Sequence, residues 1–469
     1  MKRSLILLLS IAYVLGAWGQ SIAIEKVNII DVRNGEVHPG QYVLLENGLI
    51  RKIEDHAFKQ VDQRIDGSGK FLIPGLWDMH VHLSTIGEES IPLFVANGVT
   101  GVRDMGGDWT ELKKWRSFSE NDDQTSFPII RTAGPIVESV PFYYMLSKIL
   151  GREFSKNRVP VADASAVRPV VDSIASLGVD FLKIRTAVSQ ELFLEVLQYC
   201  DSIGLQVTGH IDQSISIAEA VKNGISTIEH DLFLQTLSFT DKEKKAILEA
   251  IAEYQPYFTP TLIATYQSRI RPKEQLVSLL NDSSNNHHPR RKFVSPVLLE
   301  NWNIEKNLSA LEAPISWDSV IQISRSFAKE MASHTKMLAG TDAGVAGIYP
   351  GWGLHEELQM MTEHFRCSPL KALQASTLHA AASLNLLSLY GTIEEGKKAD
   401  LLLLEANPLQ DISNTQKIAV VFKNGIQLDN DARKQVLLTV ESKVTEANEE
   451  FEPKTLQHLN KVLRSMRGK

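Results

Sequence analysis

Short apolar runs, each closing on a residue able to bind a metal or carry a proton, recur along this chain and restrict what it can fold into. PGLWDMHVH closes on His80 and His82, and FLKIR carries Lys183. VTGH ends at His210, TIEH ends at His230, and LAGTDAG carries Asp342. Each run has the length and composition of a buried β-strand. In an H-x-H pair on a strand both side chains point to one face, because the strand period is two. A fold that gathers strand ends at one face would bring all of these residues together.

The pattern between the runs says which fold that is. The strand-like segments are FLIPGLWDMH, VTGVRDMG, PIIRTAG, VDFLKIR, LQVTGH, STIEH, YFTPTL and KMLAGTDAG. Helical spacing of apolar residues separates them, for example from Gln190 to Ile203 and from Ser214 to Asn223. Strands alternating with helices in this way predict an α/β fold, a (β/α)8 TIM-like barrel over 73–383. In that fold active sites lie at the C-terminal strand ends, where the candidate residues fall.

The flanks read differently. Ile22 to Ile73 alternates short apolar runs with turn dipeptides at Asn34-Gly35, Pro39-Gly40 and Asn47-Gly48, a hairpin signature. The same texture returns in ADLLLLEANPLQDI and in IAVVFKNGIQL, with Asn424-Gly425. A small β-sandwich domain built from both chain ends, 20–72 and 384–430, is therefore expected. Residues 431–469 read as a helical tail, either a surface helix pair or a homo-oligomer contact. Ser268 to Trp317 is long and polar, and is expected as an insertion after strand seven that forms a helical lid.

Lys2 and Arg3 precede the apolar run Leu5 to Leu15, and Ala17 and Gly19 suit a signal peptidase. This predicts a signal peptide over 1–19, cut after Gly19 or Ala23, and export to the periplasm or the medium. The run is short for a membrane span, so no stable insertion is expected once it is removed. A net charge of −7 without any basic cluster argues against a nucleic-acid partner. Cys200 and Cys367 fall on separate expected helices, so no disulfide is expected.

Imidazole and carboxylate suit zinc and similar divalent ions. Two ions a few ångströms apart need a bridge. A Lys carboxylated by carbon dioxide offers two oxygens for it, whereas a free amine offers none. Metal-activated water can then attack a carbonyl.

These motifs resemble the amidohydrolase superfamily over almost the whole mature chain. The similarity is greatest to imidazolonepropionase-related, Xaa-Pro dipeptidase-like enzymes, a branch that includes enzymes cleaving dipeptides ending in Pro or Arg. PGLWDMHVH, VTGVRDMGG, GISTIEHDLF and LAGTDAG resemble barrel strands one, two, six and eight of that family. GLHEELQMMTEHFRCSPLKALQASTLHAAASLNL resembles its helices after strand eight, and GTIEEGKKADLLLLEANPL its return into the β-domain. The resemblance implies that His80, His82 and Asp342 hold one metal and that His210 and His230 hold a second, with zinc the expected ion. It implies Lys183 as the carboxylysine bridge, and Asp342 as the general base that later protonates the leaving amine. The reaction implied is hydrolysis of an amide in a dipeptide or N-acyl amino acid. A cyclic amide or a lactone is the alternative substrate, and metal binding without catalysis is the alternative role.

The loop after strand three departs from the family pattern. AGPIVESVPFYYMLSKIL lacks a Gly-Gly-His-like stretch and offers Tyr143, Tyr144 and Lys148. Tyr143, Tyr144 and Arg185 are the expected substrate contacts. Arg103 and Asp104 are expected to pair with each other beside the site, and His355 to stand in its outer surroundings. Gly391 to Lys398 imitates a phosphate-binding loop but lacks the Ser or Thr that would hold magnesium.

Overall fold

The computed structural model describes residues 21–120, 125–151, 155–230, 239–309 and 334–467. The expected leader at 1–19, Asp231 to Phe233 of the sixth motif, and 310–317 of the expected insertion lie outside the described residues.

Strands β1 (Ile22–Asp31), β2 (Glu36–Glu46), β3 (Leu49–Glu54), β4 (Gln63–Asp66) and β5 (Phe71–Pro74) open the chain. β6 (Leu76–Val81), β7 (Val99–Asp104), β8 (Ile129–Thr132), β9 (Ile136–Ser139) and β10 (Arg158–Val161) come after them. Next come β11 (Leu182–Ile184), β12 (Val207–Gly209), β13 (Ile225–Glu229), β14 (Tyr257–Thr259) and β15 (Lys336–Met337). β16 (Leu401–Leu404), β17 (Ile418–Lys423) and β18 (Ile426–Leu428) return near the end.

The β-rich domain joins both flanks in one eight-stranded network of order β18-β17-β16-β5-β1-β2-β3, with β4 beside β1. Its own core includes Ile24, Val27, Val43, Leu45, Leu72, Leu403 and Phe422. The sequence reading made Phe71 to His80 a single strand, and here the structure differs. Phe71–Pro74 pairs with β16 and Leu76–Val81 pairs with β7, so the run serves two sheets. Gly75 makes the break: a Cβ there would strike the Thr100 side chain, so only glycine lets the chain cross between the sheets.

β6, β7, β8 and β11 to β15 are the eight barrel strands, all pairing in parallel. β9 and β10 are additional and extend the sheet from β11. The third and fourth barrel strands meet where Asp180 N–H donates to the Thr132 carbonyl at 3.0 Å. The eighth and first meet through Met79 N–H to Ala339, Asp342 N–H to His80, and the Val81–Ala343 bridge. The eighth strand is regular only over Lys336–Met337, because Ala339 to Ala343 leaves the ladder to reach the first strand.

The helices form where the apolar spacing requires them. Gln190–Ser202 starts at Ser189, whose hydroxyl accepts from Leu192 N–H, and buries Leu192, Phe193, Val196, Leu197 and Cys200 on one face. Asp241–Tyr254 starts with a capping box from Thr240 and Glu243. Cys200 and Cys367 are free and buried, and Cys367 lies between helices Trp352–Glu363 and Pro369–Ala375, not on a helix.

The described part of the insertion holds helices Lys273–Asn281 and Pro296–Ser309. Leu276, Leu279, Leu280, Leu298 and Trp302 give it a core of its own. The tail is a helix pair, Asn430–Glu450 and Lys454–Arg467, packed on the same chain. Val440 and Val444 cover Leu93 and Phe293, and Leu459 meets Leu150 and Ile304. No described helix is long and apolar enough to cross a membrane.

Candidate functional site

At the C-terminal ends of the barrel strands lies a cavity of about 610 Å³. His82, Lys183, His210, His230 and Asp342 line it, and His80 is fully buried beneath them. Nε2 of His82 lies 3.4 Å from Oδ1 of Asp342, and Nε2 of His80 lies 3.6 Å from the same oxygen. Nε2 of His230 is 4.0 Å from Oδ2 of Asp342. The ligand atoms of His80, His82 and Asp342 fall within 4.8 Å of one another. The His230 ring sits between its neighbours, with centroids 4.3 Å from His80 and 4.6 Å from His210.

The local backbone explains these placements. His80 stands on β6, and His82 comes just past its end, two residues on and facing the same way. His210 comes directly after β12, where Gly209 passes so close to Ile184 that a Cβ would collide with the Ile184 carbonyl oxygen. His230 at φ +60° and Asp342 at φ +56° adopt the left-handed region without being glycine. Such strain, of order 1–3 kcal/mol per residue, persists where the surroundings fix it, most often at functional sites. Asp78 accepts from Thr341 N–H at 2.9 Å and from the Thr341 hydroxyl at 2.6 Å, which holds the segment leading into Asp342.

The electrostatics suit metal ligation. Burial, then the charge of Lys183, holds His80 and His210 well below the usual imidazole range. Burial and then His80 do the same for His230. These rings are neutral, as a ligand must be. Burial pushes Lys183 down to about 8. Among the described residues neither Nζ of Lys183 nor Nε2 of His80 has a hydrogen-bond partner, although both are buried. A buried polar atom left unpaired costs of order 1–3 kcal/mol, so two of them facing one cluster of donors fit a bound cation and a modified lysine. The residues present therefore fit divalent metal.

Three of the histidines are oriented from behind. Nδ1 of His80 donates to Glu229 at 2.7 Å, Nδ1 of His82 reaches the Gly106 carbonyl at 3.1 Å, and Nδ1 of His230 reaches the Thr261 hydroxyl at 2.7 Å. In each case Nε2 is the nitrogen left for the cavity. Sequence reasoning overlooked Glu229. Its signal was its place as the last residue of the sixth barrel strand, directly before His230. Arg103 donates to Glu229 at 2.6 Å and to the Met79 carbonyl at 2.7 Å.

That corrects the expected pairing of Arg103 with Asp104. Adjacent strand residues face opposite ways, and Asp104 instead accepts from Leu83 N–H, Gly106 N–H and the Thr132 hydroxyl. His355 is also not beside the site. It is buried against Thr415 and the Asn97 carbonyl at 2.9 Å each, and helps tie the barrel to the segment before β17. Tyr143 and Tyr144 do not line the cavity. They sit on helix Val140–Leu150 with rings edge to face, and Tyr144 is 65% exposed. A helix turns neighbouring residues 100° apart, and here Leu150 is the residue that reaches the cavity. Arg185 does line it, with Nη1 3.5 Å from Glu138 and its guanidinium 4.8 Å above the Phe142 ring.

The lid side contributes residues that the motifs did not suggest. Val297, Glu300, Asn301, Ile304, Glu305 and Leu308 come from helix Pro296–Ser309, and Thr455 from the final helix. The described part of the expected insertion thus lines the cavity through helix Pro296–Ser309.

The amidohydrolase family profile matches residues 182–428, more than half of the chain. The curated ochratoxinase of Aspergillus niger is 22% identical over 408 residues, 76% of this chain and 75% of that protein. A solved Xaa-Pro dipeptidase superposes with a TM-score of 0.61 at 20% identity, covering 87% of this chain and 100% of the other. Bottromycin amidohydrolase superposes at 0.68 with 18% identity, covering 90% of each. The structural likenesses speak for the fold, the profile and the strand-end residues for the lineage: this chain belongs to the amidohydrolase family of hydrolases.

Proposed function

We propose that this protein is an exported binuclear metal hydrolase that cleaves the amide bond of a dipeptide or an N-acyl amino acid. The observation that carries the reading is the strand-end cluster in which His80 Nε2 and Lys183 Nζ are buried with no hydrogen-bond partner among the described residues. His80, His82 and Asp342 would hold one metal, His210 and His230 a second, and carboxylated Lys183 would bridge them. Two divalent ions there, zinc in the simplest case, would lower the pKa of water and polarise the scissile carbonyl.

The chain's own residues do the rest. A carboxylate oxygen of Asp342 takes a proton from water as its oxygen attacks the carbonyl carbon. As the C–N bond breaks, Asp342 returns that proton to the departing nitrogen. Arg185, partly open to the cavity, meets the substrate carboxylate. Helix Pro296–Ser309 and the final helix form part of the cavity wall.

The test is turnover of the zinc-loaded mature protein against dipeptides, N-acyl amino acids, cyclic amides and lactones, with Asp342→Asn alongside. Amide cleavage that falls by about 10²- to 10⁴-fold in the variant supports the reading. Turnover of lactones alone would move the chemistry to oxygen esters. Silence across all four, with metal bound, would remove catalysis from the reading.

A further inference from the structure

The cavity carries acids as well as cations, and two of the acids, Glu300 and Glu305, stand on the lid helix. Five carboxylates line it: Asp108, Glu111, Glu300, Glu305 and Asp342. Asp342 belongs to the metal cluster. Asp108 accepts from Thr110 N–H, Glu111 is bonded by Ser84, and Glu300 accepts from Leu456 N–H at the start of the final helix. Glu305 is held differently. Its Oε2 accepts from Ala346 N–H at 2.8 Å and its Oε1 from the Asn301 amide at 2.9 Å. Both donors are neutral, and among the described residues no cation pairs with it. Arg271, whose charge favours the ionised form of Glu305, donates from Nη1 to Gln267 at 2.6 Å.

These contacts fix the acid in place. Asn301 also donates to the Gly344 carbonyl at 2.9 Å, so Asn301 and Glu305 together clamp the lid helix to the loop after the eighth strand. Arg185 rises from the end of the fourth strand. Strands four and eight stand opposite each other in an eight-stranded ring, with the histidine cluster between them. Burial raises the Glu305 carboxyl to about 8, and an ammonium placed against it would reverse that cost.

We infer that Glu305 is a specificity residue that binds the protonated α-amino group of the substrate, so that the enzyme selects free zwitterionic dipeptides over N-acyl amino acids. The inference rests on the amide-hydrolase reading above. The substrate lies across the barrel axis, ammonium toward Glu305, carboxylate toward Arg185, scissile amide over the histidine cluster.

The experiment compares one alanyl-amino acid with its propionyl analogue, which lacks only the amine, in wild type and in Glu305→Gln. The wild type should prefer the alanyl compound in kcat/KM by at least about thirtyfold, the lower end for removing one side of a buried charged contact. Glu305→Gln should lose that preference by lowering turnover of the alanyl compound at least about thirtyfold more than that of the propionyl compound, with zinc content and circular dichroism unchanged. Equal wild-type turnover of both compounds would overturn the inference and leave the amide-hydrolase reading standing. So would a variant equally impaired on both. Absence of turnover for every amide would overturn the reading itself and this inference with it.

Discussion

Replacing Glu229 by Gln changes one oxygen to an amide nitrogen at the most enclosed point of the site, where the carboxylate has no solvent exposure. Oε1 accepts from Arg103 at 2.6 Å and from the Thr208 hydroxyl at 2.5 Å, and Oε2 accepts from His80 Nδ1 at 2.7 Å. The Gln oxygen will keep the two donors on the Oε1 side, which places its NH₂ against His80. Nδ1 must then accept, the ring proton moves to Nε2, and Nε2 can no longer ligate. Such a loss behind a metal-binding His typically costs about 10- to 100-fold in metal affinity.

The variant also leaves Arg103 as a buried cation without its ion-pair partner. It keeps its bonds to the Met79 carbonyl, Thr227 and Thr259, so the destabilisation should sit at the low end for a broken buried pair, about 3 kcal/mol. Zinc competition against a chelator measures the first effect and urea unfolding of the metal-free protein the second. A destabilised variant with wild-type zinc affinity would refute the tautomer argument and leave Glu229 a purely structural acid. A variant with neither change would refute the geometry as well.

Metal loading should depend on pH through Lys183. Only the neutral amine reacts with carbon dioxide, and burial holds this lysine at about 8. Activation of metal-free protein by zinc at a fixed concentration of dissolved carbon dioxide should therefore quicken about tenfold per pH unit below that value and level off above it; a flat profile would remove the carboxylysine. Arg185→Met should lower kcat/KM by about thirtyfold or more for substrates ending in a carboxylate, and leave their C-terminal amides within about twofold. Tyr144→Ala should change steady-state constants by less than about twofold, since its ring faces solvent away from the cavity.

The sequence by itself determined the class of fold and the identity of the strand-end residues. Both come from local rules: apolar runs of strand length, helical spacing between them, and side chains that reach one face because the barrel puts every strand end there. His80, His82, Lys183, His210, His230 and Asp342 were legible because each carries its own chemistry at or just past the end of a recognisable strand. Contacts between segments were not legible, because no local period encodes them. Glu229 reaches His80 across 149 residues, and Glu305 reaches Ala346 from a lid helix with no motif. Tyr143 and Tyr144 failed for the same reason. Their loop was correctly placed near the site, but the phase of one helix decided that Leu150 faces the cavity and the two rings face away. Orientation of that kind is set by what packs against an element, and only the tertiary structure supplies it.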